Sequence, residues 1–419
     1  MPRTTARSRF SFILWAFPIL LACLATLGLH NAARSSDEVS RTDVYQRAQA
    51  LEALGRKLFF DASLSASGKM SCASCHSPYH ALGPPNDLAV QLGGKDMKQP
   101  GLRAVPSLKY LQAAPQFTEH FFESEDDGDE SIDNGPTGGL TWDGRVDYGL
   151  DQAKLPLLSP FEMANAHAAD VVAKIHKAGY DDALRHIYGD AVLRNTEATF
   201  NAVLKAFEVF EQSYKDFYPY NSKYDAYLAG KAQLTAQEKR GLDLFEDPDK
   251  GNCAQCHISK PAKNGTPPQF TDYGLIALGV PRNPHIPANT DPAYYDLGLC
   301  GPLRTDFLGK AGYCGLFMTP TLRNVATRST FFHNGVFHTL REVMEFYVQR
   351  DTNPDKWYTR DKDGRVRAFD DLPVEYHDNV NVDPPFGGKP GDEPALSAEE
   401  IDDVIAFMKT LTDGYSADK

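Results

Sequence analysis

The chain has no run of alternating apolar and polar residues that reads as a sheet, no excess of basic charge, and only three tryptophans and seven cysteines in 419 residues. The missing alternation leaves a mainly α fold with long loops. Lys and Arg number 43 against 56 Asp and Glu, and the resulting net charge of −13 argues against nucleic acid as a partner while suiting a basic one. The length allows two domains with proper cores.

Four of the seven cysteines fall in two pentapeptides, Cys72-Ala73-Ser74-Cys75-His76 and Cys253-Ala254-Gln255-Cys256-His257. Each reads C-x-x-C-H, the pattern of covalent c-type haem attachment, in which two thiols form thioethers and the adjacent imidazole ligates iron. A four-cysteine zinc site would leave both histidines unexplained, and a thioredoxin-like pair needs no His after its second Cys. The expectation is two covalently bound c-type haems, attached through Cys72, Cys75, Cys253 and Cys256 and ligated by His76 and His257. Two cytochrome c-like haem domains, residues 45–230 and 231–415, would each carry one.

Arg3, Arg7 and Arg9 precede an apolar run from Phe10 to Leu29, the layout of an export signal or an N-terminal membrane anchor within residues 1–34. Either places the rest of the chain in the periplasm. Pro18 interrupts the run, and Leu20-Leu21-Ala22-Cys23 weakly resembles a lipoprotein cleavage box. Retained anchor, cleaved signal and lipidated Cys23 all stay open. Outside the cytoplasm, Cys300 and Cys314 are expected to close a short disulfide loop worth roughly 3 kcal/mol, the alternative being two buried free thiols.

Apolar residues at Leu51, Leu54, Leu58 and Phe59 predict a helix from Ala48 to Phe60. Ser77 to Gly101 is rich in Gly and Pro and reads as loop, and the acidic run Glu123 to Asp133 reads as a solvated insertion or a docking patch. Helices are predicted over Asp170–Tyr188 and Thr196–Tyr214. Capping boxes at Thr235-x-x-Glu238 and Ser397-x-x-Glu400 open two more. Leu58-Phe59 and Leu244-Phe245 precede the two haem motifs alike, which points to an internal repeat. Thr339 caps a helix whose Leu340, Val343, Met344 and Tyr347 share one face.

A haem with a second axial ligand carries electrons, whereas an open one reacts. Cleaving a peroxide O–O bond needs a base that moves a proton from the near oxygen to the departing one. Glu162 is the candidate, although Ser159-Pro160-Phe161-Glu162 also reads as a capping box with Pro at the first helical position. Trp142 could relay an electron between haems or simply fill core.

Leu54-Gly55-Arg56-Lys57-Leu58-Phe59-Phe60-Asp61, both haem motifs, Trp142-Asp143-Gly144-Arg145, Gln152-Ala153, Pro160-x-Glu162-Met163, Thr319-Pro320-x-Leu322-Arg323-Asn324-Val325 and Phe332-His333-Asn334-Gly335 together resemble the bacterial di-haem cytochrome c peroxidase and MauG family. The similarity runs from about residue 45 to 412. It implies that Trp142, Gln152 and Glu162 lie between the haems or over the one that meets hydrogen peroxide. It further implies a protein electron donor or a protein substrate.

Two departures bear on the subfamily. Ordinary members often carry a His in the loop after the first motif that must leave the iron on activation; here the loop holds only His80, too near His76 to cross the porphyrin. Aligning the helix after the His-x-Gly turn puts Tyr347 where ordinary members place the Met ligand of the second haem, as in MauG-type enzymes, with Met344 as the rival. The resemblance also implies a calcium ion between the haems, but Ala104 stands where the family pattern has Asn. The sequence is therefore read as a MauG-like enzyme. An ordinary peroxidase and a non-enzymatic di-haem cytochrome remain the alternatives.

Overall fold

Polar first turns hide where the helix before the first haem motif begins. In the computed structural model, which describes residues 40–122 and 133–416, helix α1 spans Arg41–Phe59. It starts earlier than its apolar stripe because the Ser40 hydroxyl accepts from the Asp43 N–H at 3.1 Å, a cap that needs no apolar periodicity. The expected leader at 1–34, Cys23 and nearly all of the acidic run Glu123–Asp133 lie outside the described residues. No helix among the described residues is long and apolar enough to cross a membrane.

Helix dominates the rest. A single turn, α2 (Cys72–Cys75), carries the first haem motif, and α3 (Gly149–Leu158), α4 (Ala168–Lys177), α5 (Asp181–Tyr188), α6 (Thr196–Glu211) and α7 (Tyr214–Phe217) follow. Then come α8 (Lys223–Leu228), α9 (Ala236–Glu246), α10 (Leu340–Gln349) and α11 (Ala398–Lys409). The sheets are two short antiparallel pairs. Strand β1 (Leu92–Gly93) pairs with β2 (Gln99–Pro100), and β3 (Leu275–Ile276) with β4 (Phe317–Met318). Capping boxes at Thr235, Thr339 and Ser397 open α9, α10 and α11 as their sequences predict.

The helix predicted over Asp170–Tyr188 is in fact two. Gly179 takes φ +83° between α4 and α5, a left-handed conformation that ends a helix and suits glycine. Likewise α6 stops at Glu211, and the chain restarts as α7 at Tyr214.

The internal repeat is visible in the packing. On α1, a Cβ at Gly55 would stand 2.0 Å from the Ala206 carbonyl oxygen and 2.7 Å from the Phe210 Cβ of α6. On α9, a Cβ at Gly241 would stand 1.9 Å from the Asp403 carbonyl oxygen and 2.9 Å from the Phe407 Cβ of α11. Each glycine lets two helix backbones cross in contact, and the carbonyl and the aromatic lie four residues apart both times. The aromatic one turn on repeats too: Phe59 meets Phe210 edge-on at 5.5 Å, and Phe245 meets Phe407 at 5.2 Å. These pairs seed two separate apolar cores, one around Phe59, Phe207 and Phe217, the other around Phe245, Phe346 and Phe407. A smaller cluster around Leu299 and Phe307 lies beside the disulfide that joins Cys300 to Cys314.

Between the cores run long loops, held by buried charge. Arg103 donates to both oxygens of Asp296 at 2.6 and 2.8 Å and to Asp143 at 2.7 Å. Burial alone would raise the Asp143 carboxyl, but the Arg103 and Arg145 cations outweigh it and hold Asp143 below the usual range. Burial costs such pairs their hydration, so each depends on every partner being in place.

Two outcomes follow from this packing. Gly241→Ala, a change that ordinarily favours a helix by about 1 kcal/mol, should instead cost at least the roughly 1–3 kcal/mol of overpacking in chemical denaturation; a stabilised variant would mean α9 and α11 do not cross there. Arg103→Met should cost about 3–5 kcal/mol by leaving Asp296 uncompensated, and adding Asp296→Asn should recover part of it. A double variant no better than the single one would show that Arg103 acts through packing alone.

Candidate active site

The two haem motifs each begin with a short helical turn, α in the first and 3-10 in the second. Three-residue spacing on the tight turn of α2 puts the Cys72 and Cys75 sulfurs on one side, and a 3-10 turn over Cys253–Gln255 starts the second motif. All four thiols are free. Burial pushes them up, Cys75, Cys253 and Cys256 to about 12, so they stand as neutral thiols ready for thioether chemistry.

Each motif's imidazole is aimed by a backbone carbonyl. His76 Nδ1 lies 3.0 Å from Leu82 O, and His257 Nδ1 lies 2.9 Å from Phe270 O. A carbonyl only accepts, so Nδ1 carries the proton in both rings and Nε2 keeps its lone pair for a metal. Burial lowers both rings, His76 to about 4, which keeps them neutral as ligands must be. Neutral, oriented imidazoles beside paired free thiols fit a covalently held haem at each motif.

Around the second motif lies a cavity of about 720 Å³, lined by Cys253, Cys256, His257, Met344, Tyr347 and Phe386 among others. Leu340, Val343 and Val348 of α10 face it too. Tyr347 stacks on Phe386 at 5.2 Å and on Phe332 at 6.0 Å. Burial raises its phenol, and negative charge on Cys256 or Cys253 would raise it further. Met344 is 5% exposed on the same helix.

At the first motif the structure brings Glu162 near the cysteines, since its charge raises both Cys72 and Cys75. The capping reading of Glu162 fails, because no helix starts at Ser159: that residue is the C-cap of α3. Glu162 sits instead in a turn clamped on three sides. Its N–H donates to Ser159 O, its carbonyl accepts from Gly94 N at 2.8 Å, and Met163 O accepts from Ala66 N at 2.7 Å. Strand β1 can come this close only because Gly93 has no Cβ; one would fall 2.2 Å from Phe161 O. Burial raises the Glu162 carboxyl, against a hydrogen bond from Ser159 and the Arg145 charge. Gln152 stands half-buried on α3. His80 is held three residues from its loop's start by Ser77 Oγ at 3.1 Å.

Trp142 faces the large cavity and donates its indole N–H to Ala104 O at 2.8 Å. In the same cavity stand His333, which the sequence marked only as part of the Phe332–Gly335 motif, and Asp371, which it did not mark. His333 stacks on Phe317 at 3.5 Å and is lowered by burial to about 3, while Asp371, 3.8 Å from it, is raised by burial to about 7. Asp272, raised chiefly by burial, acts on both Cys256 and His257. Its only sequence signal is its place two residues after Phe270, whose carbonyl holds His257. Ala104 supplies no side-chain oxygen, and among the described residues no three His, Cys, Asp or Glu side chains gather as a metal site.

The chain is similar in sequence and fold to known proteins. A family model described as di-haem cytochrome c peroxidase matches residues 49–233. The methylamine utilization protein MauG of Paracoccus denitrificans is 31% identical over 405 residues, covering 94% of this chain and 95% of that protein. The cytochrome c551 peroxidase of Nitrosomonas europaea is 27% identical over 319 residues, 75% of this chain and 77% of its own. Among solved structures, the diheme peroxidase BthA of Burkholderia thailandensis superposes with a TM-score of 0.74 at 41% identity, covering 87% of this chain and 86% of that one. A MauG-like protein associated with microbial copper homeostasis gives 0.59 at 25% identity, covering 87% and 89%. With two cysteine pairs and two aimed imidazoles on a shared helical frame, this chain belongs to the di-haem cytochrome c peroxidase and MauG family, and is a haem oxidoreductase carrying two c-type haems.

Proposed function

We propose that the protein is a MauG-like di-haem peroxidase: hydrogen peroxide reacts at the haem of Cys72–His76, and oxidising equivalents pass by way of the haem of Cys253–His257 to a side chain of a partner protein. The observation that carries this reading is Tyr347, a buried phenol facing the same cavity as His257, Cys253 and Cys256. A phenolate ligand favours the more oxidised states of iron, where a thioether favours the reduced one. Because burial raises the phenol, ligation would have to release its proton to the metal's charge.

When bound, the haems supply redox-active iron that can accept oxidising equivalents from peroxide. The chain's own residues do the rest. Glu162, whose carboxylate is made more basic by burial, can in its ionised form take a proton from one peroxide oxygen and return it to the other. Gln152 orients the substrate from α3. Trp142, fixed by its bond to Ala104 O, offers a π-system between the two sites. His80, tied to Ser77, would not be held as a second ligand of the first haem, so no activating displacement would be needed. The two cores support the division at about residue 230 into haem domains. The Cys300–Cys314 disulfide and the thioether chemistry suit an oxidising compartment, so the reading includes export to the periplasm. No step uses calcium.

Met344, which faces the same cavity from one turn away, favours a second reading: an ordinary peroxidase supplied with electrons by a small donor protein.

Tyr347→Met separates the two. In the wild type, peroxide should leave a long-lived oxidised state visible in the optical spectrum, and the variant should lose it while gaining turnover of a small cytochrome c. Identical spectra and turnover in both proteins would remove Tyr347 from the iron. For the proton role, Glu162→Gln should slow the reaction with peroxide about 100- to 10,000-fold with both haems retained; a loss below tenfold in stopped-flow would leave Glu162 as a structural turn residue. The ferric wild type should also show a high-spin electron paramagnetic resonance signal, and two low-spin irons would instead indicate a pure electron carrier.

A further inference from the structure

Among the described residues, the arginines buried or half-buried around the cavity are paired with carboxylates, with one exception, the half-buried Arg328. Arg103 has Asp296 and Asp143, Arg323 has Asp225, and Arg350 has Asp351. Arg328 has only backbone: Nε donates to Thr330 O at 3.2 Å and Nη2 to Val105 O at 3.0 Å. No carboxylate among the described residues pairs with it, and burial alone sets its pKa, lowering it to about 10. Two neutral carbonyls do not compensate a guanidinium taken out of water.

Its position is also specific. Arg328 lines the same cavity as Cys253, Cys256, His257 and Trp142, and its charge reaches His76 at the other motif. Room for it is built in. A Cβ at Gly83 would stand 3.3 Å from Nη1, and Gly83 lies on the loop whose Leu82 carbonyl orients His76. A planar fork with one amino group still unused is shaped for a carboxylate. Each haem brings two of these, as propionates on the porphyrin edge. We propose that Arg328 is the counter-ion of a haem propionate, and that by neutralising it Arg328 holds the reduction potential of that haem up. The inference rests on the two haems and is independent of whether a partner side chain or a small donor protein is oxidised.

Spectroelectrochemistry of the haem-loaded protein reads the two midpoint potentials, and the haem whose potential moves is the one whose propionate Arg328 meets. In Arg328→Gln one reduction equilibrium should shift toward the oxidised form by at least about tenfold, ~59 mV for a one-electron couple. Arg328→Lys, which keeps the charge, should retain most of the wild-type value. Unchanged potentials at both haems in the Gln variant would overturn the proposal and leave Arg328 a cap on two carbonyls. Should the Gln variant fail to fold or load haem, the Lys variant decides by resonance Raman: replacing the fork with a single ammonium should shift a propionate-bending band, and an unmoved band overturns the proposal. The potentials would shift as expected even if partner oxidation were disproved, so the two readings fail separately.

Discussion

Everything at either haem depends on one hydrogen bond, from an imidazole Nδ1–H to a backbone carbonyl. Leu82 O and Phe270 O fix the tautomer and the ring plane of His76 and His257, and those decide where Nε2, and hence a metal, can stand. Each carbonyl comes from a loop after the motif, six residues on in the first half and thirteen in the second. Such loops have no regular hydrogen-bond ladder, so they are tied back one bond at a time. Ser77 N donates to Gly83 O at 2.9 Å, and Phe270 N to Ile258 O at 3.2 Å. The Gly- and Pro-rich stretch that looks slack in sequence is the part that aims the ligand.

From this shared imidazole arrangement the two sites diverge, because a different kind of element is brought near each motif. The first receives a turn, Ser159–Met163, pinned by β1 across Gly93 and carrying an acid. The second receives a helix, α10, whose cavity-facing stripe carries a phenol and a thioether one turn apart. The backbone clamp fixes where the Glu162 side chain starts, and a hydrogen bond from Ser159 restrains its carboxyl, which together can hold a proton-transfer geometry. A phenol stacked between Phe386 and Phe332 is fixed in plane by its ring. The helix crossings at Gly55 and Gly241 are alike in the two halves, and the elements brought to each motif are not.

Much of this was legible in the sequence, for reasons that differ by residue. The haem motifs are contiguous, so Cys72, His76, Cys253 and His257 needed no tertiary information. Capping boxes act within one turn, and Thr235, Thr339 and Ser397 open their helices as read. Glu162 was ambiguous because its spacing from Ser159 suits a cap equally well; only the tertiary clamp of Gly93 and Gly94 removes that reading. The break at Gly179 was missed because apolar periodicity continues through it from Ile175 to Leu184. Hidden altogether were the pairs that close over great sequence distance, such as Arg103 with Asp296, 193 residues apart. No local pattern marks which of 43 cations will be buried, nor that Arg328 would end without a carboxylate.

Those long-range charges also explain why the space between the haem motifs can be polar without being electrically unsettled. Asp143 is pinned as an anion by two guanidinium groups, and His333 is kept neutral by burial against Phe317. Neither changes charge near neutral pH. Asp371 is the exception: held by Asn334 at 2.9 Å and Arg282 at 3.2 Å, it is still raised to about 7 because burial outweighs both. Its raised value means the fold prefers it protonated, so the stability it lends is present at low pH and is lost as pH rises through about 7. The cavity that Trp142 faces is therefore lined by fixed charge pairs together with carboxyls, Asp371 and Asp272, that burial raises.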